Sequence, residues 1–179
     1  MTTGVFCDNT VLCNFAAVGR VDLLASILRG RGRWTEAVAA EAEMSRGYLP
    51  DLAQLIDGRW LGEPIEVART DAEAIRIECI RRAVFGGLPE QPTKHLGEAE
   101  TTYLIKNRAD FRDAWWVTDD RAAVDYGRAQ GMITKETIDL MGDAVAMSDL
   151  MADKAFALLL RMDDLGRRLR LPARARDLM

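Results

Sequence analysis

The chain has 179 residues, 49% hydrophobic and 29% charged, with a formal net charge of −4 at pH 7. That is enough for one core-bearing domain with an appendage, and too acidic overall for a protein coated in basic surface. Its three cysteines, Cys7, Cys13 and Cys79, are odd in number and form no CxxC pair, which speaks for reduced thiols in a cytoplasmic setting. No basic-then-apolar leader opens the sequence, and the apolar run from Ala155 to Leu160 is too short to span a bilayer, so no membrane association is expected.

Gly4 to Cys7 is apolar and β-leaning, which predicts a buried strand ending at Asp8. A helix is expected from about Thr10 to Val18, and a second over Val21–Leu28 after the break at Gly19. Gly30 to Arg33 reads as a flexible, charged loop leading to a short strand around Arg33 and Trp34. Thr35 is a good N-cap for the helix carrying Glu41. A further helix is expected within Tyr48 to Asp57, a strand within Trp60 to Val67, and a strong helix from Thr70 to Ala83. His95 to Arg108 predicts another helix, opening with Glu98 and Glu100. Ala114 to Thr118 is the clearest late strand, followed at once by Asp119 and Asp120. A helix over Arg121–Gln130, a last strand over Met132–Thr134 and a helix from Glu136 to Leu140 complete the pattern. Strands alternating with helices predict an α/β fold with a mostly parallel central sheet.

From Asp143 onward, Ala144, Met147, Leu150, Met151, Ala155, Leu158, Leu159, Met162 and Leu165 repeat at helical spacing. This divides the chain into a domain over residues 1–142 and a helical C-terminal extension over 143–179. The extension either packs back on the domain or serves as an arm for a partner.

Six acids share a logic. Asp8, Asp119 and Asp120 follow strand ends, which places them on the carboxyl edge of a parallel sheet, where ligands bind in such folds. Glu41, Glu98 and Glu100 lie on helices that can face that edge. Singly, each has a plainer reading: Asp8 as a cap, Glu41 as a solvated helix acid, Glu98 and Glu100 as dipole acids, Asp119 or Asp120 as the cap of the helix at Arg121. Together, repelling carboxylates call for a cation, and an oxygen-only set suits Mg²⁺ or Mn²⁺. The single histidine, His95, argues against a His-rich zinc site or a Ser-His triad. Basic residues at Arg20, Arg29, Arg31 and Arg33, and in the tail at Arg167, Arg168, Arg170, Arg174 and Arg176, are candidate phosphate contacts.

The segments VFCDNTVLCNF, TEAVAAE, LGEAETTYLI and WVTDDRAAVDYGRAQG occur in that order. Over about Val5 to Leu140 the chain resembles the PIN-domain family, and within it VapC-type toxin ribonucleases. The resemblance implies a PIN-like α/β/α sandwich and a metal-dependent endoribonuclease, cytoplasmic, from a toxin–antitoxin pair. It implies a homodimer that cleaves RNA and is neutralised by a cognate antitoxin protein. The family's first acid falls on Asp8, its second on Glu41, its third on Glu98 or Glu100, and its fourth on Asp119 or Asp120. Thr118 takes the place of a small polar residue beside the metal, and Asn9 and Thr10 are placed to orient Asp8. The third acid departs from the Asp common in bacterial toxins. Two other readings stay open: a catalytically silent PIN-like module that binds RNA or a partner protein, and a PIN nuclease of RNA processing or DNA repair.

Overall fold

Val5–Cys7 forms strand β1, buried along its whole length as expected for a central parallel strand. The computed structural model describes residues 4–179. Asn9–Ala17 (α1) and Val21–Leu28 (α2) carry the chain to Gly32–Arg33 (β2) on one side of β1. Four helices follow: α3 (Glu36–Arg46), α4 (Leu52–Asp57), α5 (Asp71–Ala83) and α6 (Leu96–Asn107). The chain then enters β3 (Trp115–Val117) on the opposite side of β1, and α7 (Arg121–Ala129) leads to β4 (Ile133–Lys135). The result is an all-parallel four-stranded sheet in the order β2-β1-β3-β4.

Strand alternation sorts the core into two layers. Val5, Cys7 and Val117 face one cluster, built with Leu12 and Phe15 of α1, Leu24 of α2, Val38 of α3 and Leu52 of α4. Phe6 and Trp116 face the other, built with Ile77 of α5, Leu104 of α6 and Ala123 of α7. Helices therefore cover both faces, giving the α/β/α layering expected of an alternating pattern. Cys7 and Cys13 are buried in the first cluster, and burial pushes the Cys7 thiol up to about 12, so it stays protonated.

Several boundaries differ from the sequence-based expectation. Gly32 is not in a loop: it pairs with Val5, and a Cβ there would lie 2.4 Å from Leu61 Cδ2. Only Ile65, in a single bridge to Thr35, takes up strand pairing within Trp60 to Val67. The helix expected after Pro50 is α4, and it ends at Asp57 as the sequence suggests.

The division at residue 142 also falls inside an element. Helix α8 runs over Thr137–Ala146, started by a capping box between Glu136 and Asp139. After α9 (Ala152–Asp164), Leu178 returns to the domain, and Ala155, Leu159, Met162 and Leu178 join the same apolar cluster as β1 and α1. Residues 143–179 thus share the core of the rest of the chain instead of standing apart from it. Among the described residues no helix is long and apolar enough to cross a membrane.

Candidate active site

The chain runs from β1 to β2 in one direction and from β3 to β4 in the other, so the carboxyl ends of β1 and β3 flank the point where strand order reverses. In open parallel sheets this is where a crevice forms. Asp8 follows β1 there, and its backbone N–H donates to the Val117 carbonyl at 2.9 Å. Asp8 occupies the N-cap position of α1, yet its side chain makes no capping bond. The carboxylate turns instead toward two hydroxyls: Thr10 Oγ1 donates to Oδ2 at 2.6 Å and Thr118 Oγ1 to the same oxygen at 3.3 Å. The plain capping role considered for Asp8 is therefore absent. Asn9 does not orient Asp8 with its side chain, contrary to expectation; its Nδ2 donates to Ser45 Oγ at 3.1 Å, and its Oδ1 accepts from the Cys13 thiol.

Two glutamates approach from the helices. At the α3–α6 crossing, Gly97 permits close packing: a Cβ there would stand 2.9 Å from Val38 Cγ2 and 3.5 Å from Glu41 Oε1. The Gly97 N–H, in the first turn of α6, lies beside the Glu41 carboxylate and pulls its pKa down against burial. Glu98 lies one residue further on, and His95 Nδ1 is 3.2 Å from its Oε1. His95 holds a left-handed φ of 62°, which starts α6 abruptly after the 86–94 loop. That loop is tied by the buried Arg81, whose guanidinium donates to the carbonyls of Leu88, Gln91 and Lys94 and to the Glu78 carboxylate.

Asp8, Glu41 and Glu98 are electrostatically one group. Burial, then the Glu98 charge, pushes the Asp8 carboxyl up to about 6 against the pull of the two threonine hydroxyls. Burial, then the charges of Asp8, Glu98 and Glu100, pushes Glu41 up to about 8. Neither Asp8 nor Glu41 has a Lys or Arg ion-pair partner among the described residues.

The remaining acids have other partners. Glu100 Oε2 accepts from the Ala37 N–H at 3.1 Å, so it caps the start of α3, and burial raises its pKa. Asp120 caps α7 by accepting from the Ala123 N–H at 2.9 Å. Asp119 lies beside the group but faces α8: Oδ1 accepts from the Thr137 N–H at 2.9 Å, and Oδ2 from the Thr137 hydroxyl and, at 2.8 Å, from Asn14 Nδ2. Burial raises the Asp119 pKa in spite of these donors. Of the six acids, Asp8, Glu41 and Glu98 thus lie within reach of one another's charge, Asp119 follows Thr118 beside them, and Glu100 and Asp120 bond helix starts.

Asn14 and Thr137 escaped the sequence reading, although both are buried polar residues at the edge of this site. The available signal was Asn14 itself, an amide set between Cys13 and Phe15 where the helix after Thr10 is otherwise apolar. Arg29 and Arg31 were expected as phosphate contacts, but the Arg31 carbonyl accepts from Val5 N–H at the amino edge of the sheet, opposite the acids.

The donor set is oxygen-only and anionic, the chemistry that suits a hard divalent cation. Among the described residues, no three His, Cys, Asp or Glu side chains form a tight metal-ligating group. Glu41 and Glu98 carry long side chains, so the arrangement is a set of matching donors rather than a finished cage. No family model, curated protein or solved structure matches this chain.

Proposed function

We propose that this chain is a metal-dependent endoribonuclease, a phosphodiesterase acting at the carboxyl edge of β1 and β3. The observation that carries the reading is the convergence of a buried Asp8 with the part-buried Glu41 and Glu98, none with a Lys or Arg partner among the described residues, where the strand order reverses. Asp8, Glu41 and Glu98 are the residues that would hold Mg²⁺ or Mn²⁺, with Asp119 beside them. A divalent ion there supplies an activated water and neutralises charge developing on phosphate.

The chain's own residues do the positioning. Thr10 and Thr118 both bond Asp8 Oδ2, which fixes the carboxylate and leaves Oδ1 free of hydroxyl donors. Thr118 Oγ1 also accepts from the Asp120 N–H at 3.2 Å, which sets the turn after β3. Asn14 and Thr137 hold Asp119 against α1 and α8. The Glu41 carboxyl, raised to about 8, keeps its proton at neutral pH until a cation competes for the site.

The PIN-like fold identity, the toxin role, the cognate antitoxin protein and the homodimer belong to this proposal through the sequence motifs alone. The absence of a tight three-ligand group favours a second reading, a silent module that binds RNA or a protein without cutting. Cleavage of a mixed RNA pool, with and without Mn²⁺, by wild type and Asp8→Asn decides between them. The proposal expects metal-dependent cleavage that Asp8→Asn loses. Cleavage that Asp8→Asn retains contradicts the site, and no cleavage by wild type favours the silent module.

A further inference from the structure

Helix α9 ends in a turn that fixes the residue after it. Gly166 takes φ +76°, its N–H donates to the Asp163 carbonyl at 2.8 Å, and the Arg167 N–H reaches back to the Met162 carbonyl at 3.0 Å. This is the paired hydrogen-bond pattern of a Schellman motif, and the helix residue that closes it, Met162, is fully buried. The turn is therefore anchored in the core, and it directs Arg167 back toward α1. There Arg167 Nε donates to Asn14 Oδ1 at 3.0 Å, while Asn14 Nδ2 donates to Asp119 Oδ2 at 2.8 Å.

Arg167 is held by a neutral amide through one of its five N–H donors. No carboxylate among the described residues pairs with it, although Asp119 is the next group along the chain of bonds. Its tail neighbours differ: Arg170 pairs with Glu136 and Asp139, and Arg174 with Asp177. A half-buried cation fixed at the rim of an acid group, with its outer nitrogens uncommitted, has the chemistry to bind phosphate. It also offsets the repulsion that the acids exert on a polyanion.

We propose that Arg167 binds a phosphodiester phosphate of a nucleic-acid strand lying across the carboxyl edge, with Asn14 as the positioning residue that holds the guanidinium. This rests on the phosphodiesterase reading and adds the strand contact to it. The C-terminal segment then completes the substrate site.

Binding of fluorescein-labelled single-stranded RNA and DNA oligonucleotides of one sequence tests the assignment. Anisotropy is read over a salt series in Mg²⁺, with Asp8→Asn as the parent so that the strand stays intact. Arg167→Gln is expected to weaken binding by roughly ten- to a hundredfold. It should also reduce the slope of log affinity against log salt by about 0.7, the loss of one single-strand phosphate contact. Arg167→Lys should recover part of the affinity, and Arg112→Gln, at an exposed residue ahead of β3 on the amino side of the sheet, should match the parent. The better-bound oligonucleotide identifies the strand type, and the Arg167 effect is expected on that one. Parent-like affinity and slope in Arg167→Gln overturn the assignment, as does an equal loss in Arg112→Gln. If RNA cleavage by wild type is established and Arg167→Gln still binds like the parent, only the Arg167 assignment falls. If wild type cleaves nothing and the parent binds neither strand, both readings fall.

Discussion

Replacing Asp8 with Asn should stabilise the fold at neutral pH while removing its function. Burial and the Glu98 charge raise the Asp8 carboxyl from 3.8 in the free side chain to about 6. That displacement corresponds to roughly 3 kcal/mol. The folded state holds the Asp8 proton more tightly than the unfolded chain does. Stability from this group is therefore complete below the unfolded pKa and is lost as pH rises through the folded one. At pH 8 wild type bears the whole cost of a buried carboxylate, and at pH 4 almost none. Asn does not titrate, and its amide oxygen can still accept from Thr10 or Thr118. The weaker bonds to a neutral acceptor offset about 1 kcal/mol, leaving a net gain of about 2 kcal/mol at pH 8. Urea unfolding in EDTA at pH 4 and pH 8, for both proteins, measures the difference. The variant should be more stable at pH 8, and the gap should close toward pH 4. A variant equally or less stable than wild type at pH 8 would refute the claim that Asp8 is held at a cost to the fold. Adding Mn²⁺ at pH 8 should reverse the order, because a ligand stabilises only the protein that binds it.

Gly97→Ala places a methyl 2.9 Å from Val38 Cγ2 at the α3–α6 crossing, so urea unfolding should show a loss of about 1–3 kcal/mol, with weaker Mn²⁺ binding as α3 is displaced. Arg81→Met removes the donors to Leu88, Gln91 and Lys94, and leaving those carbonyls unmatched should cost about 3 kcal/mol and speed proteolysis of the 86–94 loop. Leu159→Ala tests whether α9 belongs to the core: a fully buried leucine in the main apolar cluster should cost about 2–5 kcal/mol, whereas a detached arm would lose almost nothing. Gly166→Ala forces a side chain into φ +76°, and should lower stability by about 1 kcal/mol while reducing oligonucleotide affinity through displacement of Arg167.

The parts of the fold legible in the sequence are those where local pattern and tertiary role coincide. Val5 to Cys7 and Trp115 to Val117 are short apolar runs with an acid close behind, and a parallel sheet buried on both faces demands such runs. The amphipathic helices were equally readable, and Thr35 and Thr70 cap α3 and α5 by accepting from the N–H groups of Val38 and Glu73. Strand β2 was obscure because two residues carry no period, and its pairing is decided by β1. The choice between Glu98 and Glu100 was open because two helix residues apart face different neighbours, and only the α3 crossing shows which neighbour each meets. The same holds for Asp119 and Asp120, where one side chain closes a helix start and the other reaches across to Thr137. Arg167 and Asn14 lie 153 residues apart, and no local pattern marks a contact that depends on α9 folding back over α1.

Calorimetric titration of Mn²⁺ into wild type and Asp8→Asn, in buffers of different ionisation enthalpy, asks whether Asp8, Glu41 and Glu98 take up a cation together. Wild type should show a saturable binding event, with proton release at neutral pH because Glu41, raised to about 8, must give up its proton to bind. Asp8→Asn should show the event weakened or lost. No saturable heat in wild type, or the same isotherm from both proteins, would contradict a metal site at Asp8, Glu41 and Glu98.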